Sequence, residues 1–274
     1  MHKNVGYNFP GISLGRISDP ADSPKSFHRH LHDTYEILYV VHGRGRYIIE
    51  GNTYEMRPGS LILVSPYIYH SVEIDSSVPY ERYVINFEPS LLPDVEKTME
   101  AFDLQSGSLF YTAASVTSAL PSVFEKIVSL SALPKAHHAA YARLILAEIL
   151  ILLSAADTAK AEESEALGAR VIRYLNSHIE IEKDMSLDTV ARHFFVSKYY
   201  LCRAFKKHNG ISIHEYLTQK RVMYAKQLIE AGETASGAAY RVGFGDYSTF
   251  YRACLKVMGC SPLEIQKTGE TADV

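Results

Sequence analysis

The sequence predicts an α+β protein of two domains, an N-terminal antiparallel β-barrel with flanking helices and a C-terminal all-α domain with two helix-turn-helix units. Three observations support this prediction. Short β-branched and aromatic segments end near residue 87, helical spacing dominates after residue 169, and an acidic excess in residues 1–167 changes to a basic excess afterwards. With 274 residues, 47% of them hydrophobic, each domain can bury a core.

The predicted barrel follows an N-terminal arm, residues 1–20, which is polar, interrupted by glycine and proline, and expected to be loose. The barrel itself is predicted over residues 21–90. Its strands are short segments that turn residues separate: EILYVV (36–41), RYIIE (46–50), SLILV (60–64) and RYVINF (82–87). Strands this short and evenly spaced are typical of a small antiparallel barrel or sandwich.

A helical segment is predicted over residues 91–157. Residues 91–101 and 115–130 have helical character, and residues 136–156 form a long helix of Ala, Leu and Ile. The apolar surface of this long helix is too wide for a helix that is buried on one side only. We therefore expect it to pack against the barrel or against a second copy of itself. Residues 158–168 are small and acidic without periodicity, and they predict a linker.

The C-terminal domain, residues 169–267, begins with the pattern of a helix, a tight turn and a second helix. In SLDTVARHFFVSKYYLCRAFKKHNG (186–210), Ser186 and Ser197 are the expected N-caps of the two helices. At helical spacing, the core positions of the second helix are Leu201, Ala204 and Phe205. The opposite face presents Tyr199, Arg203 and Lys206, with Cys202 on its flank.

A second segment, TASGAAYRVGFGDYSTFYRACLKVMG (234–259), repeats this plan. Asp246 is the expected cap, and the face opposite the core holds Ser248, Arg252 and Leu255, with Tyr251 on its flank. A predicted helix at 212–231 joins the two units. A helix of that length extends about 30 Å, close to the roughly 34 Å of one DNA turn. The pattern thus indicates two helices that can enter successive major grooves.

The run RVMYAKQLIEAGETASGAAYRVGFGDYSTFYRACLKVMGCSP (221–262) resembles the signature of the AraC/XylS family of bacterial transcription regulators. The upstream run VSKYYLCRAFKKHNGIS (196–212) resembles the first recognition unit of that family. The resemblance implies a ligand-responsive, sequence-specific regulator of transcription that binds double-stranded DNA. It also implies a homodimer formed through the helix near 136–156. Family habit favours an activator over a repressor, but nothing in these residues decides between them.

The resemblance also implies roles for individual side chains of the second helix in each unit. Groove-facing roles fall to Tyr199, Cys202 and Arg203, and to Tyr247, Ser248, Tyr251 and Arg252. Arginine suits this role because its guanidinium can bond O6 and N7 of guanine together. Contacts to phosphate are expected from Lys198, Lys206 and Lys207. The alternative is that these side chains are only the solvated faces of their helices, or, for Arg252, a structural residue.

In the barrel, HLHDTYEILYVVHG (30–43), followed by Pro58–Gly59 and His70, resembles the two motifs of the cupin family. The resemblance places His30, His32, Glu36 and His70 at the positions that bind metal in cupin enzymes. Barrels attached to this kind of C-terminal domain often keep such residues without a metal. We therefore expect the four residues, with Arg44 at the barrel mouth, to bind a small-molecule effector such as a sugar. No metal, cofactor or catalytic residue is expected.

Two other functions stay open on the sequence alone. One is a metal-dependent cupin enzyme with a helical interaction domain, and the other is a constitutive DNA binder whose barrel only dimerises. The three cysteines form no CxxC pair and the N-terminus has no apolar signal region, so a cytoplasmic protein is expected. The most apolar window, 144–153, is shorter than the roughly 20 residues of a membrane span, so no membrane contact is expected.

Overall fold

The computed structural model describes residues 4–22, 26–50, 52–66, 68–88, 91, 102, 108–158, 162–163, 166–178 and 186–265. The chain divides into two compact units, Met1–Glu163 and Ser164–Val274. The first contains the sheets and the second is helical, as the sequence predicts. Each unit is described by itself below.

The first unit contains two antiparallel sheets. The strands are β1 (Val5–Phe9), β2 (Ile12–Asp19), β3 (Ser26–His30), β4 (Tyr35–His42), β5 (Gly45–Ile49), β6 (Asn52–Met56), β7 (Leu61–Val64), β8 (His70–Ile74), β9 (Tyr80–Phe87), β10 (Ser108–Tyr111) and β11 (Glu162–Glu163). One sheet has the order β1-β2-β9-β4-β7-β10 and the other β11-β6-β5-β8-β3. The four predicted strands are present as β4, β5, β7 and β9.

The prediction of a loose N-terminal arm is wrong. Strands β1 and β2 form a hairpin, and β2 pairs along its whole length with β9, from Ile12 opposite Phe87 to Asp19 opposite Tyr80. The glycines that suggested looseness have structural uses: Gly11 has a φ of 73° in the hairpin turn, and a Cβ on Gly15 would lie 2.6 Å from the Val5 carbonyl oxygen. The close approach of β1 over β2 therefore requires a residue without a side chain.

Two helices cover the six-stranded sheet. Helix α1 spans Leu120–Ser129 and α2 spans His138–Ser154, preceded by short 3₁₀ turns at Leu130–Ala132 and Lys135–His137. Their apolar faces share one core with the sheet, which includes Ile37, Leu61, Phe87, Phe124, Ile145 and Ile149. A second core, between the two sheets, contains Leu38, Tyr47, Val64 and Val72. The helix predicted at 91–101 falls almost entirely outside the described residues.

The apolar surface of helix α2 is larger than the part of it that is buried in the core. Lys135–Ser154 is a helical stretch of 20 residues with a mean hydropathy of 1.4, so by length and composition alone it is able to cross a membrane. This apolar stretch is longer than the ten-residue window found in the sequence. One such helix is weak evidence for a span, because core helices meet the same criterion. Ala142, Ile145, Leu146, Ile149, Leu150 and Leu153 of α2 are buried in the core.

The second unit consists of short helices joined by tight turns. They are α3 (Leu167–His178), α4 (Leu187–His193), α5 (Lys198–Asn209), α6 (Ile213–Glu230), α7 (Ala235–Arg241) and α8 (Tyr247–Met258). The helix-turn-helix units are α4–α5 and α7–α8, and α6 joins them. The predicted linker is shorter than 158–168, because Glu162–Glu163 pair with β6 and α3 begins at Leu167.

The predicted N-caps are confirmed. Ser186 Oγ accepts from the Thr189 amide at 3.2 Å, and Ser197 Oγ accepts from the Tyr200 amide at 3.2 Å. Asp246 Oδ1 accepts from the Thr249 amide at 2.8 Å. Each cap satisfies an amide that the first turn of its helix leaves without an intrahelical partner. The local sequence therefore fixes where each of these three helices begins.

Candidate functional sites

Four side chains that the sequence singled out lie together in the first unit: His30, His32, Glu36 and His70. One candidate ligand atom from each lies within 4.8 Å of all the others. Strand pairing explains part of this, since His30 of β3 lies opposite His70 of β8. Strand β3 ends at His30, so His32 reaches the group from the following loop and not by alternation along a strand. The His70 ring centroid lies 4.4 Å from that of His30 and 4.9 Å from that of His32. We call these four residues the histidine cluster.

Glu36 is the buried acid of the histidine cluster. The Tyr47 hydroxyl donates to Glu36 Oε1 at 2.7 Å, while His32 Nε2 lies 3.4 Å from Oε2 and His70 Nε2 lies 3.8 Å from Oε1. Burial raises the pKa of Glu36, but its contact with His32 and the neighbouring His70 outweigh burial and hold that pKa at about 2. Glu36 is therefore a carboxylate at neutral pH, and it faces two imidazoles.

The imidazoles of buried His70 and half-buried His32 are oriented by backbone carbonyls. His70 Nδ1 lies 2.8 Å from the Ile68 carbonyl oxygen, and His32 Nδ1 lies 2.8 Å from that of Thr34. A carbonyl only accepts, so each Nδ1 carries the proton. Burial lowers the pKa of His70 to about 4, although the Glu36 carboxylate opposes that shift. Near pH 7 His70 is neutral, and its Nε2 presents a lone pair to the cluster.

Sequence reasoning missed Tyr47, which contacts the cluster from β5. Its side chain is fully buried, and its ring stacks on His70 with the centroids 5.7 Å apart. Burial raises the pKa of Tyr47 well above its usual value, so the hydroxyl stays a donor to Glu36. Tyrosines are frequent in the predicted strands, and no feature of the sequence distinguishes this one.

The structure does not bring Arg44 to the histidine cluster. In the β5–β8 pairing, Gly45 lies opposite Ile74, whereas His70 lies opposite Ile49 at the other end of β5. Four residues along a strand separate them by about 13 Å. Arg44 Nε donates to Asp75 Oδ2 at 2.7 Å, and Arg44 lines a cavity of about 880 Å³. A ligand contact of Arg44 would fall in that cavity.

The second unit presents the predicted basic faces. In α5, Lys198, Tyr199, Arg203, Lys206 and Lys207 are exposed, and Cys202 is half-buried. In α8, Tyr247, Ser248, Tyr251 and Arg252 are exposed. Leu201 and Phe205 of α5 are buried, as the helical spacing predicts, whereas Ala204 is half-buried. Phe250 and Cys254 of α8 are buried as well. Both helices are therefore amphipathic, with polar faces free to meet another molecule.

Contacts within these faces distinguish their members. The Arg203 Nη1 donates to the Tyr199 hydroxyl at 3.3 Å, and the guanidinium lies 5.6 Å from the centroid of that ring. Lys198 Nζ pairs with Asp188 of α4 at 2.7 Å, so part of its charge is already balanced within the unit. Arg252 turns back on its own helix and donates to the Ser248 carbonyl at 3.4 Å. Of the two arginines, Arg203 therefore has the guanidinium that is better placed to contact another molecule.

The turns of the two units differ at one position, which is Phe195 in the first unit and Gly243 in the second. Phe195 has a φ of 55° and its side chain is 95% exposed, whereas the matching turn contains Gly243 with a φ of 87°. A left-handed backbone costs an L-amino acid about 1–2 kcal/mol, and glycine avoids that cost. Arg221 Nη1 donates to the Gly243 carbonyl at 3.4 Å and so ties α6 to the second turn.

Two family models match the chain. The AraC-like ligand binding domain matches residues 21–162, and a helix-turn-helix domain matches residues 190–268. The HTH-type transcriptional activator RhaS of Enterobacter sp. (strain 638) is 24% identical over 265 residues, 94% of each chain. The Msm operon regulatory protein of Streptococcus mutans serotype c is 24% identical over 257 residues, 91% of this chain and 90% of that one. Among solved structures, fatty-acid-bound ToxT of Vibrio cholerae covers 97% of each chain, with 15% identity and a TM-score of 0.41.

Proposed function

This chain belongs to the AraC family of transcription regulators, since the AraC-like ligand-binding domain matches more than half of it, and we propose that a sugar or related small molecule is the effector that its barrel binds. The observation that carries the proposal is the histidine cluster. Its polar groups converge inside the unit that the ligand-binding model matches, while the exposed basic helices belong to the other unit. Sensing and DNA binding thus have separate sets of residues.

Regulation follows as a shift between two populations. The effector favours one arrangement of the protein on DNA, and it shifts the balance only by its difference in affinity for the two arrangements. The relatives RhaS and the Msm operon regulatory protein are named as an activator and an operon regulator, and we propose activation for this chain as well. Its three cysteines, Cys202, Cys254 and Cys260, form no disulfide bond, which supports a cytoplasmic location.

The experiment that tests this function begins with selection of a binding sequence from random duplexes by the full chain. We expect a specific duplex whose affinity falls steeply as the salt concentration rises, because bound lysines and arginines release counterions from phosphates. A panel of sugars and sugar acids is then added to the protein–duplex complex. The effector should change the affinity by about 5- to 150-fold.

Two results would contradict the proposal. If no duplex is selected and the chain shows metal-dependent turnover of a small molecule, it is an enzyme with a helical interaction domain. If a duplex is selected but the panel changes neither its affinity nor the thermal stability of the protein, the barrel only dimerises and the regulator is constitutive.

We also propose that the chain is a homodimer through α2. Leu144 and Ile151 lie seven residues apart on the face of α2 that is opposite its core contacts, and they are 64% and 60% exposed. Apolar side chains at this spacing form a narrow stripe along one side of a helix, as in helix pairs that pack lengthwise. A second copy of α2 would remove this stripe from water.

Replacing Leu144 and Ile151 together with glutamate should convert the dimer to a monomer, because four carboxylates would meet in the interface. Sedimentation equilibrium of the full chain measures the change. The control replaces Ser122 and Ser129, exposed on α1, with glutamate, which adds the same charge and should leave the dimer intact. A dimer that persists in the α2 variant with its affinity unchanged would exclude this face.

A further inference from the structure

The second helices of the two helix-turn-helix units differ in the charge that they expose. Helix α5 carries four exposed lysine and arginine side chains, those of Lys198, Arg203, Lys206 and Lys207. Helix α8 carries two, and each lies near an acceptor of its own unit. Arg252 Nε donates to the Ser248 carbonyl at 3.4 Å, and Lys256 Nζ lies 4.0 Å from Glu215 Oε1 of α6. Helix α8 therefore offers less positive charge to another molecule than α5 does.

An apolar stripe takes the place of that charge on α8. Tyr247, Tyr251 and Leu255 follow one another at intervals of four residues, so they lie along one side of the helix. They are 37%, 37% and 42% exposed. The Tyr247 ring also packs on buried Phe250, with the centroids 6.0 Å apart. Contact of the stripe with another molecule therefore falls mainly to Tyr251 and Leu255.

The stripe continues the surface that is proposed to meet DNA. The helix buries Phe250 on one side, and Ser248, Arg252 and Leu255 lie on the opposite side within an arc of about 60°. Ser248 and Arg252 have predicted groove-facing roles, and the helix-turn-helix model that matches residues 190–268 includes the whole of α8. A base edge is therefore a better candidate partner for Leu255 than the surface of another protein.

The chemistry of the stripe selects one base. In the major groove, the apolar group on a base edge is the C5-methyl of thymine. Leu255 offers only carbon atoms, and the Tyr251 ring offers an apolar surface whose terminal hydroxyl can donate to thymine O4 or adenine N7. Side chains four apart on a helix have Cβ atoms about 5–6 Å apart, which suits thymines one or two base pairs apart at about 3.4 Å per pair.

We propose that Tyr251 and Leu255 read the methyl groups of thymines, so that α8 recognises its part of the DNA site by apolar contact. This inference rests on the function proposed above. The resulting site is asymmetric, with a guanine read by Arg203 of α5 and a thymine-containing segment about one helical turn away. Because the salt dependence of binding comes from neutralised phosphates, α8 adds sequence preference with little salt dependence.

The test removes methyl groups from the DNA and leaves the protein unchanged. In the duplex that the full chain selects, each thymine is replaced in turn by deoxyuridine, which keeps O4 and the pairing with adenine but lacks the methyl. Fluorescence anisotropy measures the affinity. Binding should weaken about fourfold for each methyl that a side chain covers. The sensitive thymines should lie about one helical turn from the base pair whose preference depends on Arg203. Thymines outside both segments should tolerate the replacement.

Variants then assign the effect to α8. Leu255→Ala should weaken binding to the thymine duplex and abolish the difference between thymine and uracil at one position, and Tyr251→Ala should do so at the neighbouring one. The matched control is Leu133→Ala, the same substitution at a leucine of the first unit that is 37% exposed, which should leave the difference intact. Lys206→Ala should reduce the salt slope by about 1 and keep the difference, whereas Leu255→Ala should keep the slope.

Three results would overturn the inference: no thymine at which uracil weakens binding, a uracil effect that survives in both Leu255→Ala and Tyr251→Ala, or an affinity that Leu255→Ala changes on no duplex. The last of these would place the stripe against a protein. A chain that selects a duplex and responds to an effector, but does not distinguish uracil from thymine, keeps the proposed function and loses only this inference. A chain that selects no duplex loses the proposed function, and this inference with it.

Discussion

Replacing Arg203 with alanine should weaken binding to the selected duplex by about 1–3 kcal/mol and relax the preference at one base pair. The guanidinium is exposed on α5, and its contact with the Tyr199 hydroxyl at 3.3 Å restricts it to one side of that helix. A guanidinium held in this way can bond O6 and N7 of one guanine. Fluorescence anisotropy with the selected duplex and its single-base variants measures both effects.

Arg203→Lys separates readout of a base from contact with a phosphate. Lysine keeps the positive charge and loses the planar fork of the guanidinium. If Arg203 reads a guanine, the lysine variant should lose most of the sequence preference. If affinity falls equally on every duplex and the lysine variant restores it, Arg203 contacts phosphate and the predicted role is wrong.

Replacing Arg82 with alanine should lower the free energy of unfolding of the first unit by about 3–5 kcal/mol. Arg82 Nη1 lies 2.8 Å from Asp19 Oδ2, both side chains are buried, and the guanidinium lies 4.7 Å from the centroid of the Tyr80 ring. The variant leaves the Asp19 carboxylate buried without its guanidinium. Urea denaturation followed by circular dichroism measures the loss.

The matched control is Arg44→Ala, which breaks an ion pair of the same 2.7–2.8 Å length at the surface, with Asp75. It should leave the unfolding transition where it was, because exposed pairs contribute little. Replacing Arg82 with methionine and Asp19 with leucine together should restore most of the stability lost in Arg82→Ala. A loss in Arg82→Ala as small as that of the control would show that Asp19 is solvated or otherwise balanced.

The helical unit follows from its sequence because the signals are local. Ser197 and Asp246 cap helices whose first turns begin at the next residue, and the core positions recur within the same dozen residues. The strands β4 and β9 were recognisable for the same reason. The N-terminal hairpin was not recognisable from the sequence. Gly11 lies in the turn between β1 and β2, and Gly15 lies against β1, so the reason for each glycine is clear only once these strands are known.

The histidine cluster was predicted in part. Its members are identified by the spacing of His30, His32 and Glu36 and by the later His70. A motif resemblance identifies residues without knowledge of how the strands pair. The tautomer of His70 depends on the Ile68 carbonyl, and the donor to Glu36 is a tyrosine from another strand. The position of Arg44 just after the motif in the sequence predicts that it lies with the cluster. The direction of β5 instead carries it to the opposite end of that strand.

The pairing of β2 with β9 has a consequence for the order in which the protein folds. Ile12 meets Phe87 and Asp19 meets Tyr80, so the central strands of the larger sheet join segments that are far apart in the chain. Contacts of this kind slow folding, whereas neighbouring helices form quickly. During synthesis, we expect the β1–β2 hairpin to stay without its partner strand until β9 has left the ribosome, with Ile12 and Leu14 still exposed to water. We accordingly expect a refolding chain to regain the helices of the second unit before the sheets of the first.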